Sequence, residues 1–335
     1  MGGRLKKFEY FEPGTIEEAV SLLAQYRKEA KLLAGGTDLL VLLKQRLLSA
    51  RYLVNIKRTS GLDYINSDDG EGLKIGALTT LSTIETSAVV REKFSILAQA
   101  ASKVASLQIR NIGSIGGNIC QDPRCWYYNQ SHDWHRAWTP CYKRGGHVCY
   151  VDKGDKGCQK RILQSDTAPA LIALGARVKV IGEGRERVIP VKDFFKKVGN
   201  VLKADEILTE IQIPNQPPHA SGAYLRFSPR KAIDYPVVGI AVVMRMDPEY
   251  SLCRDIKIVF GAVTPVPFEI DEAEDLLRGK KIDSDIIDGV VQTVRDKVAL
   301  QAISFGDHSA DFKTDMTGVL VKRAIEECLK SAKSH

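Results

Sequence analysis

The stretch "KLLAGGTDLLVLLKQR", residues 31–46, sets a short apolar strand against Gly35 and Gly36 and then a run with Leu39, Leu40 and Leu43 at helical spacing, which Leu47 continues. That order predicts a strand, a tight turn and a helix capped by Thr37 or Asp38. Glycine tolerates the turn, and a short polar side chain satisfies the first free N–H groups of the helix. Such a turn also shows backbone N–H groups and the positive end of a helix dipole to an anion. Taken alone, it is equally well an ordinary capped helix.

A second turn of the same chemistry, "RNIGSIGGNIC" at residues 110–120, strengthens the reading. Two glycine clusters can hold the two phosphates of one dinucleotide from either side. Neither follows the G-x-G-x-x-G order of a Rossmann fingerprint. The nearest approach to it, "GEGRER" at 182–187, lies between two β-like runs, where a hairpin turn is expected. A separate NAD site is therefore not expected.

Around these turns the chain alternates helix and strand signals. "TIEEAVSLLAQYRK" reads as an amphipathic helix with Thr15 at its N-cap and acidic residues in its first turn. "RYLVNI" and "GLKIGAL" read as short strands, and "KFSILAQAASKVAS" as a helix. "EILTEIQIP" alternates like an edge strand ending at Pro214. "NQPPHASG", residues 215–222, reads as a linker. Beyond it, "YPVVGIAVVMRMD", "RDIKIVFGAVTPVPF" and two helical patterns, "EIDEAEDLLRGK" and "GVLVKRAIEECLKSA", predict a smaller α+β domain. A chain of 335 residues is long enough for more than one core.

The net charge of +7 is spread along the chain beside nearly as many acidic residues, which suits a solvated surface better than a nucleic-acid stripe. No secretory leader pattern follows the basic start. The longest apolar run, residues 235–244, is well short of the roughly 20 residues a membrane span needs. A cytoplasmic protein without a membrane or nucleic-acid partner is expected, and in that compartment clustered cysteines point to metal before disulfides.

Five of the seven cysteines lie between Cys120 and Cys158. Four of them, Cys125, Cys141, Cys149 and Cys158, are separated by 15, 7 and 8 residues. Four thiolates suit an iron–sulfur cluster or a structural zinc. The close C-x₂₋₄-C knuckle typical of zinc is missing among these four, although Cys120 and Cys125 have such a spacing, so both metals stay open. Trp126, Tyr127, Tyr128, Trp134, Trp138, Tyr142 and Tyr150 can keep water from such a site or simply form the core of a small insertion. His132, His135 and His147 are read as surface or hydrogen-bonding residues before zinc ligands. Lys143, Arg144, Lys153, Lys156, Lys160 and Arg161 make the segment mildly basic, as docking of an acidic ferredoxin would require.

Taken together, "FEYFEPGTIEEAVSLLAQY", "KLLAGGTDLLVLLKQR", "IGALTTLSTIE", "RNIGSIGGNIC", "SDTAPALIALGARV", "EILTEIQIP" and "GAVTPVPFEIDEAEDLLRGKKID" resemble the FAD-binding medium subunit of the molybdenum hydroxylases, the xanthine dehydrogenase and carbon monoxide dehydrogenase family. The likeness covers nearly the whole chain. It implies an α+β architecture: a two-part FAD-binding domain of the carbon monoxide dehydrogenase flavoprotein type, with residues 1–57 and 58–218 as its subdomains, and a C-terminal α+β domain at 219–335. By resemblance, Leu33, Ala34, Gly35, Gly36, Thr37, Asp38 and Leu39 form one side of the FAD pyrophosphate site. Ser114, Ile115, Gly116, Gly117 and Asn118 form the other. Asp166, Leu208 and Arg226 match positions near the flavin ring, although Arg226 stands where relatives often have lysine.

Ordinary members of that family join the second turn to the "SD" segment by a short loop, whereas here roughly forty residues intervene, at 121–163. One branch carries a comparable insertion with an additional [4Fe–4S] cluster. The resemblance to it implies Cys125, Cys141, Cys149 and Cys158 as ligands and leaves Cys120, Cys253 and Cys328 as ordinary thiols. It further implies an electron-transfer subunit with no catalytic residue of its own. Its partners would be a molybdopterin-binding large subunit and a small subunit with two [2Fe–2S] clusters, as a heterotrimer, alone or paired, with a ferredoxin or similar low-potential donor. The opposite direction of electron flow remains an alternative, as does a zinc-stabilised binding module.

Overall fold

The computed structural model describes residues 5–152 and 157–332. The chain opens with a three-stranded parallel sheet in which Tyr52–Asn55 lies between Glu9–Phe11 and Ala30–Leu33. The helix Ile16–Tyr26 packs its Ala19, Val20 and Leu23 against that sheet. Its start is fixed as the sequence suggests: the Thr15 hydroxyl accepts from the Glu18 N–H at 3.2 Å, and the Glu18 carboxylate accepts from the Gly14 N–H at 2.8 Å.

A five-stranded antiparallel sheet follows, in the order Ile65–Asp68, Gly72–Gly76, Ile207–Ile213, Arg177–Gly182, Arg185–Pro190. The strand expected at an edge, Ile207–Ile213, is instead the central one, paired on both sides. Alternation survives there because Glu210 and Gln212 stay half-buried at the sheet's face while the other residues are buried. A bulge between Leu208 and Glu210 leaves Thr209 without a register partner on the strand Arg177–Gly182. The hairpin expected at 182–187 forms, with Gly184 at φ +63° in its turn.

The helical signal around residues 93–106 divides at Phe94 into Ala88–Lys93 and Ser95–Lys103. The second of these packs with the helix Thr167–Ala173 against the five-stranded sheet. The expected linker is partly strand: Ala220–Phe227 starts inside it and pairs with Val238–Met246, which pairs with Cys253–Gly261 and then Phe268–Glu269. Helices Ser284–Ala299 and Ala310–Ala332 cover one face of this sheet. Tyr224, Ala241 and Val259 on its other face join the core of the preceding domain. Burial on both faces explains the apolar residues from Val237 to Met244, while Tyr235 at the start of the run is exposed. The helical pattern at 269–280 yields only Asp271–Asp275. Among the described residues, no helix is long and apolar enough to cross a membrane.

Candidate functional site

The two glycine turns touch each other. A Cβ on Gly35 would lie 2.3 Å from the Ile112 carbonyl oxygen and 3.0 Å from the Gly113 Cα, so only glycine lets the first turn reach the second. Gly116 is equally confined, with the Ala77 carbonyl oxygen 2.8 Å from where its Cβ would sit. Gly36 adopts φ +76°, the left-handed region. Between the turns opens a cavity of about 640 Å³, in the size range of small-molecule and cofactor sites.

The turns contribute differently. The N–H groups of Gly36, Thr37 and Asp38 have no acceptor among the described residues. Those of Ile115, Gly116, Gly117 and Asn118 are satisfied by Thr79, Ala77 and Ser114. The first turn therefore keeps donors for an anion, and the second supplies mainly close approach and the Asn118 side chain. Lys31, on the strand leading into the first turn, also lines the cavity, and burial holds its ammonium below the usual lysine range.

Of the residues the sequence nominated, Ala34, Gly35, Gly36, Thr37, Asp38, Leu39, Ser114, Gly116, Gly117, Asn118, Asp166 and Leu208 line this cavity. Leu33 lies beneath the Gly36 turn, and Ile115 is buried in the core. Arg226 stands behind the wall, where its guanidinium donates to both Asp166 oxygens at 3.1 Å and the Tyr224 hydroxyl donates to Oδ1 at 2.8 Å. Burial pushes the Asp166 carboxyl up, and Arg226 holds it back.

Removing one partner of such a buried pair typically costs about 3–5 kcal/mol. Arg226→Met should therefore destabilise the chain by about 3 kcal/mol in denaturant unfolding. With the guanidinium gone, the folded-state pKa of Asp166 rises further above its unfolded value, so stability is retained below the unfolded pKa and lost as pH rises through the folded one. The deficit should grow from pH 4 to pH 8, and Asp166→Asn added to Arg226→Met should remove that pH dependence. A deficit independent of pH would disprove the pairing.

Of the two capping candidates, Thr37 and Asp38, it is Asp38 that stands at the N-cap, but its side chain makes no cap hydrogen bond. Its carboxylate is drawn instead to the insertion, where it accepts from the Asp122 N–H at 3.2 Å and pairs with the Arg124 guanidinium. Arg124 sits at the insertion's neck, its backbone joined to that of Ile162 by two hydrogen bonds of 2.7 Å. Arg161, only 1% exposed, completes the neck by donating to Asp122 at 2.8 Å. The cavity wall and the cysteine segment thus share one charge network, and Cys125 follows Arg124 directly.

Within the insertion the aromatics pack on one another. Trp134 stacks on Trp138 with centroids 4.9 Å apart, and Tyr127 on Tyr150 at 5.3 Å. The turn 141–148 needs Gly146, where a Cβ would fall 1.6 Å from the Pro140 oxygen, and it ends beside Cys149. Burial, first, and then Cys158 and Cys141 push the Cys125 thiol up, while the Tyr127 and Tyr128 N–H groups pull it down. Burial also raises Cys158, with Arg161 and Lys143 opposing it and Cys141 and Cys149 adding to it. Cys125, Cys141 and Cys158 thus influence one another, and Cys149 influences Cys158.

Among the described residues, no group of three or more His, Cys, Asp or Glu side chains converges on a single-ion site. Cys120 ends the helix Ile115–Cys120, and burial lifts its thiol to about 12. Cys253 and Cys328 are buried in the C-terminal domain. His135 is buried, with Nε2 2.9 Å from the Tyr128 carbonyl oxygen. Of the basic residues, Lys160 meets Asp152, Arg144 donates to the His135 carbonyl, and Lys143 lies over the Tyr128 ring. Lys153 and Lys156 fall outside the described residues.

Pattern reading missed Gln164 and Arg124 at the cavity wall. Neither belongs to a periodic run, and Arg124 gave no signal beyond its place beside Cys125.

Comparison with known proteins agrees with this geometry. Residues 6–216 match the family model described as the FAD binding domain in molybdopterin dehydrogenase, and residues 223–328 match the CO dehydrogenase flavoprotein C-terminal domain. The nicotinate dehydrogenase FAD-subunit of Eubacterium barkeri is 28% identical over 299 residues, covering 88% of this chain and 87% of its own. The carbon monoxide dehydrogenase medium chain of Hydrogenophaga pseudoflava is 29% identical over 321 residues, covering 95% and 96%. A solved structure of carbon monoxide dehydrogenase from the same organism superposes with a TM-score of 0.80 at 27% identity, over 98% of this chain and 99% of the other.

Proposed function

Because the chain belongs to the family of FAD-binding domains in molybdopterin dehydrogenases, we propose that its cavity holds FAD against the two glycine turns, while Cys125, Cys141, Cys149 and Cys158 hold a [4Fe–4S] cluster. The chain is an oxidoreductase subunit, the FAD-binding part of a molybdenum hydroxylase. In this reading it supplies no acid, base or nucleophile. When bound, the cluster would carry single electrons and the flavin one or two, between an external carrier and a molybdenum centre in a partner subunit.

The chain's own residues do the rest. The free N–H groups of Gly36, Thr37 and Asp38, with Lys31 nearby, suit a pyrophosphate, and Gly35 and Gly116 let the turns pack closely on the neighbouring backbone that frames it. The Tyr127 and Tyr128 N–H groups at Cys125 and the Arg161 and Lys143 cations near Cys158 oppose the burial that raises these thiols, and would favour anionic sulfur in a bound cluster. Of the insertion's aromatics, Tyr128 is buried, whereas Trp126 and Trp138 are exposed.

The feature that supports the cluster assignment is the set of four cysteines, Cys125, Cys141, Cys149 and Cys158, gathered in one insertion with 15, 7 and 8 residues between them.

The insertion beginning "RCWYYNQS" and its four-cysteine spacing are similar to those of the β subunit of 4-hydroxybenzoyl-CoA reductase. We assign this chain to such an anaerobic, cytoplasmic enzyme of aromatic degradation, with a molybdopterin-binding large subunit and a [2Fe–2S] small subunit in a heterotrimer. In that reaction two electrons and two protons remove the phenolic hydroxyl of 4-hydroxybenzoyl-CoA as water and leave benzoyl-CoA. Electrons would enter from a ferredoxin and pass by way of the [4Fe–4S] cluster and FAD to the [2Fe–2S] clusters and molybdopterin.

The test is anaerobic co-purification with the co-encoded subunits and an assay for 4-hydroxybenzoyl-CoA-dependent oxidation of a reduced low-potential donor. Turnover supports the assignment. A complex with full cofactor content and no turnover leaves the flavosubunit standing and removes this substrate. A complex that instead oxidises a substrate and reduces an acceptor establishes the outward-flowing alternative.

A further inference from the structure

Gln164 stands between the neck of the insertion and Asp166, is 3% exposed, and lines the cavity. Among the described residues, neither its Nε2 nor its Oε1 has a hydrogen-bond partner. Leaving a buried amide unpaired costs about 1–3 kcal/mol, and buried side-chain polar atoms are nearly always satisfied. Its chain neighbours Ser165, Asp166 and Thr167 do not share this condition, although Arg124 Nε and Arg161 Nε at the neck are also unpartnered. The hydroxyls of Ser165 and Thr167 both donate to Asn118 Oδ1, at 2.6 and 2.7 Å, and Asp166 is held by Tyr224 and Arg226. Within residues 164–167, Gln164 is the polar side chain left for something outside the chain.

The chemistry of that group follows from which atoms are open. A carboxamide nitrogen donates and its oxygen accepts, side by side in one plane. A phosphate oxygen would satisfy the nitrogen and leave the oxygen bare. A heterocycle with a donor and an acceptor along one edge satisfies both. We propose that Gln164 pairs with a ring edge of the bound dinucleotide, and not with its pyrophosphate, through one accepted and one donated hydrogen bond. The proposal rests on the cavity being the FAD site and adds a ring-recognition residue to it. Two edges of FAD have the required chemistry: the pyrimidine side of the flavin, where an N–H lies between two carbonyls, and the amino edge of adenine.

The test uses the full-length chain, stripped of flavin and titrated with FAD, as wild type and as Gln164→Met. Methionine keeps roughly the volume and removes both hydrogen-bonding atoms. FAD should bind about tenfold to a hundredfold more weakly, as expected for one or two lost hydrogen bonds. The flavin-free variant should melt no lower than wild type, because the substitution removes a buried unpaired amide. These opposite effects separate ligand recognition from a packing role. Altered absorption bands or midpoint potential of the bound flavin place the contact on the flavin edge, while unchanged bands with the same loss of affinity place it on adenine. Both outcomes support the proposal.

Unchanged FAD affinity would overturn it, as would a flavin-free variant whose melting temperature falls in step with the affinity. Should Gln164→Met not yield soluble chain, Gln164→Glu keeps the length and the acceptor, loses the donor, and should also bind FAD more weakly. A wild-type chain that binds no FAD defeats the cavity reading itself, a failure visible before any variant is compared.

Discussion

Gly35→Ala should cost the chain about a hundredfold in FAD affinity while leaving it folded. The added methyl meets backbone, the Ile112 carbonyl oxygen at 2.3 Å and carbon at 2.9 Å, so no side-chain rotation can relieve it. The two turns that face the cavity must separate. Overpacking of this kind costs about 1–3 kcal/mol, and a hundredfold loss corresponds to about 2.8 kcal/mol. Gly289→Ala is the control. It lies in the helix Ser284–Ala299 with nothing within 4 Å of its Cβ position, so it should leave FAD affinity unchanged and stabilise the chain by up to about 1 kcal/mol. Fluorescence titration of flavin-free protein reads both. Equal affinity of Gly35→Ala and wild type would show that contact between the turns does not shape the FAD site.

The second large effect divides the cysteines. Cys125→Ser should lose or degrade the cluster, with iron falling well below the about four per chain of a [4Fe–4S] protein, while FAD content stays near that of wild type. Serine keeps the size of the side chain and removes the soft thiolate. Cys120→Ser should retain the iron, because Cys120 belongs to the second glycine turn, its thiol is lifted to about 12 by burial, and it takes no part in the influences among the insertion's thiols. Equal iron loss in both variants would overturn that division.

Much of this was legible before any coordinates, and for a physical reason. Thr15 with Glu17 and Glu18 marks a helix start because capping is local chemistry, and the start lies where expected. The glycine turns were visible because close backbone contact demands glycine at fixed positions, and Gly35 and Gly116 meet that demand. What sequence could not show were partnerships set by topology. Ile207–Ile213 alternates like an edge strand, yet its place at the centre depends on strands more than a hundred residues earlier. Asp38 has the composition of a cap, but Arg124 and the Asp122 N–H, 84 residues or more away, claim its carboxylate. Gln164 gave no signal at all, since a side chain whose partner is a ligand leaves no pattern in the chain.

The Asp38 contact also shows how an insertion of about forty residues is attached beside the cavity. Its neck is closed by the Arg124 and Ile162 backbones and anchored by Asp38, Asp122 and Arg161. The segment is therefore fixed to the wall of the cavity, and Cys125 begins one residue beyond that wall.

The central claim is that one chain carries both groups. It is tested most directly by the visible spectrum of the anaerobically purified protein with its flavin, iron and zinc content. A yellow-brown protein with about one FAD and four irons per chain, and no stoichiometric zinc, is the expected result. A colourless protein with about one zinc per chain and no flavin would contradict it.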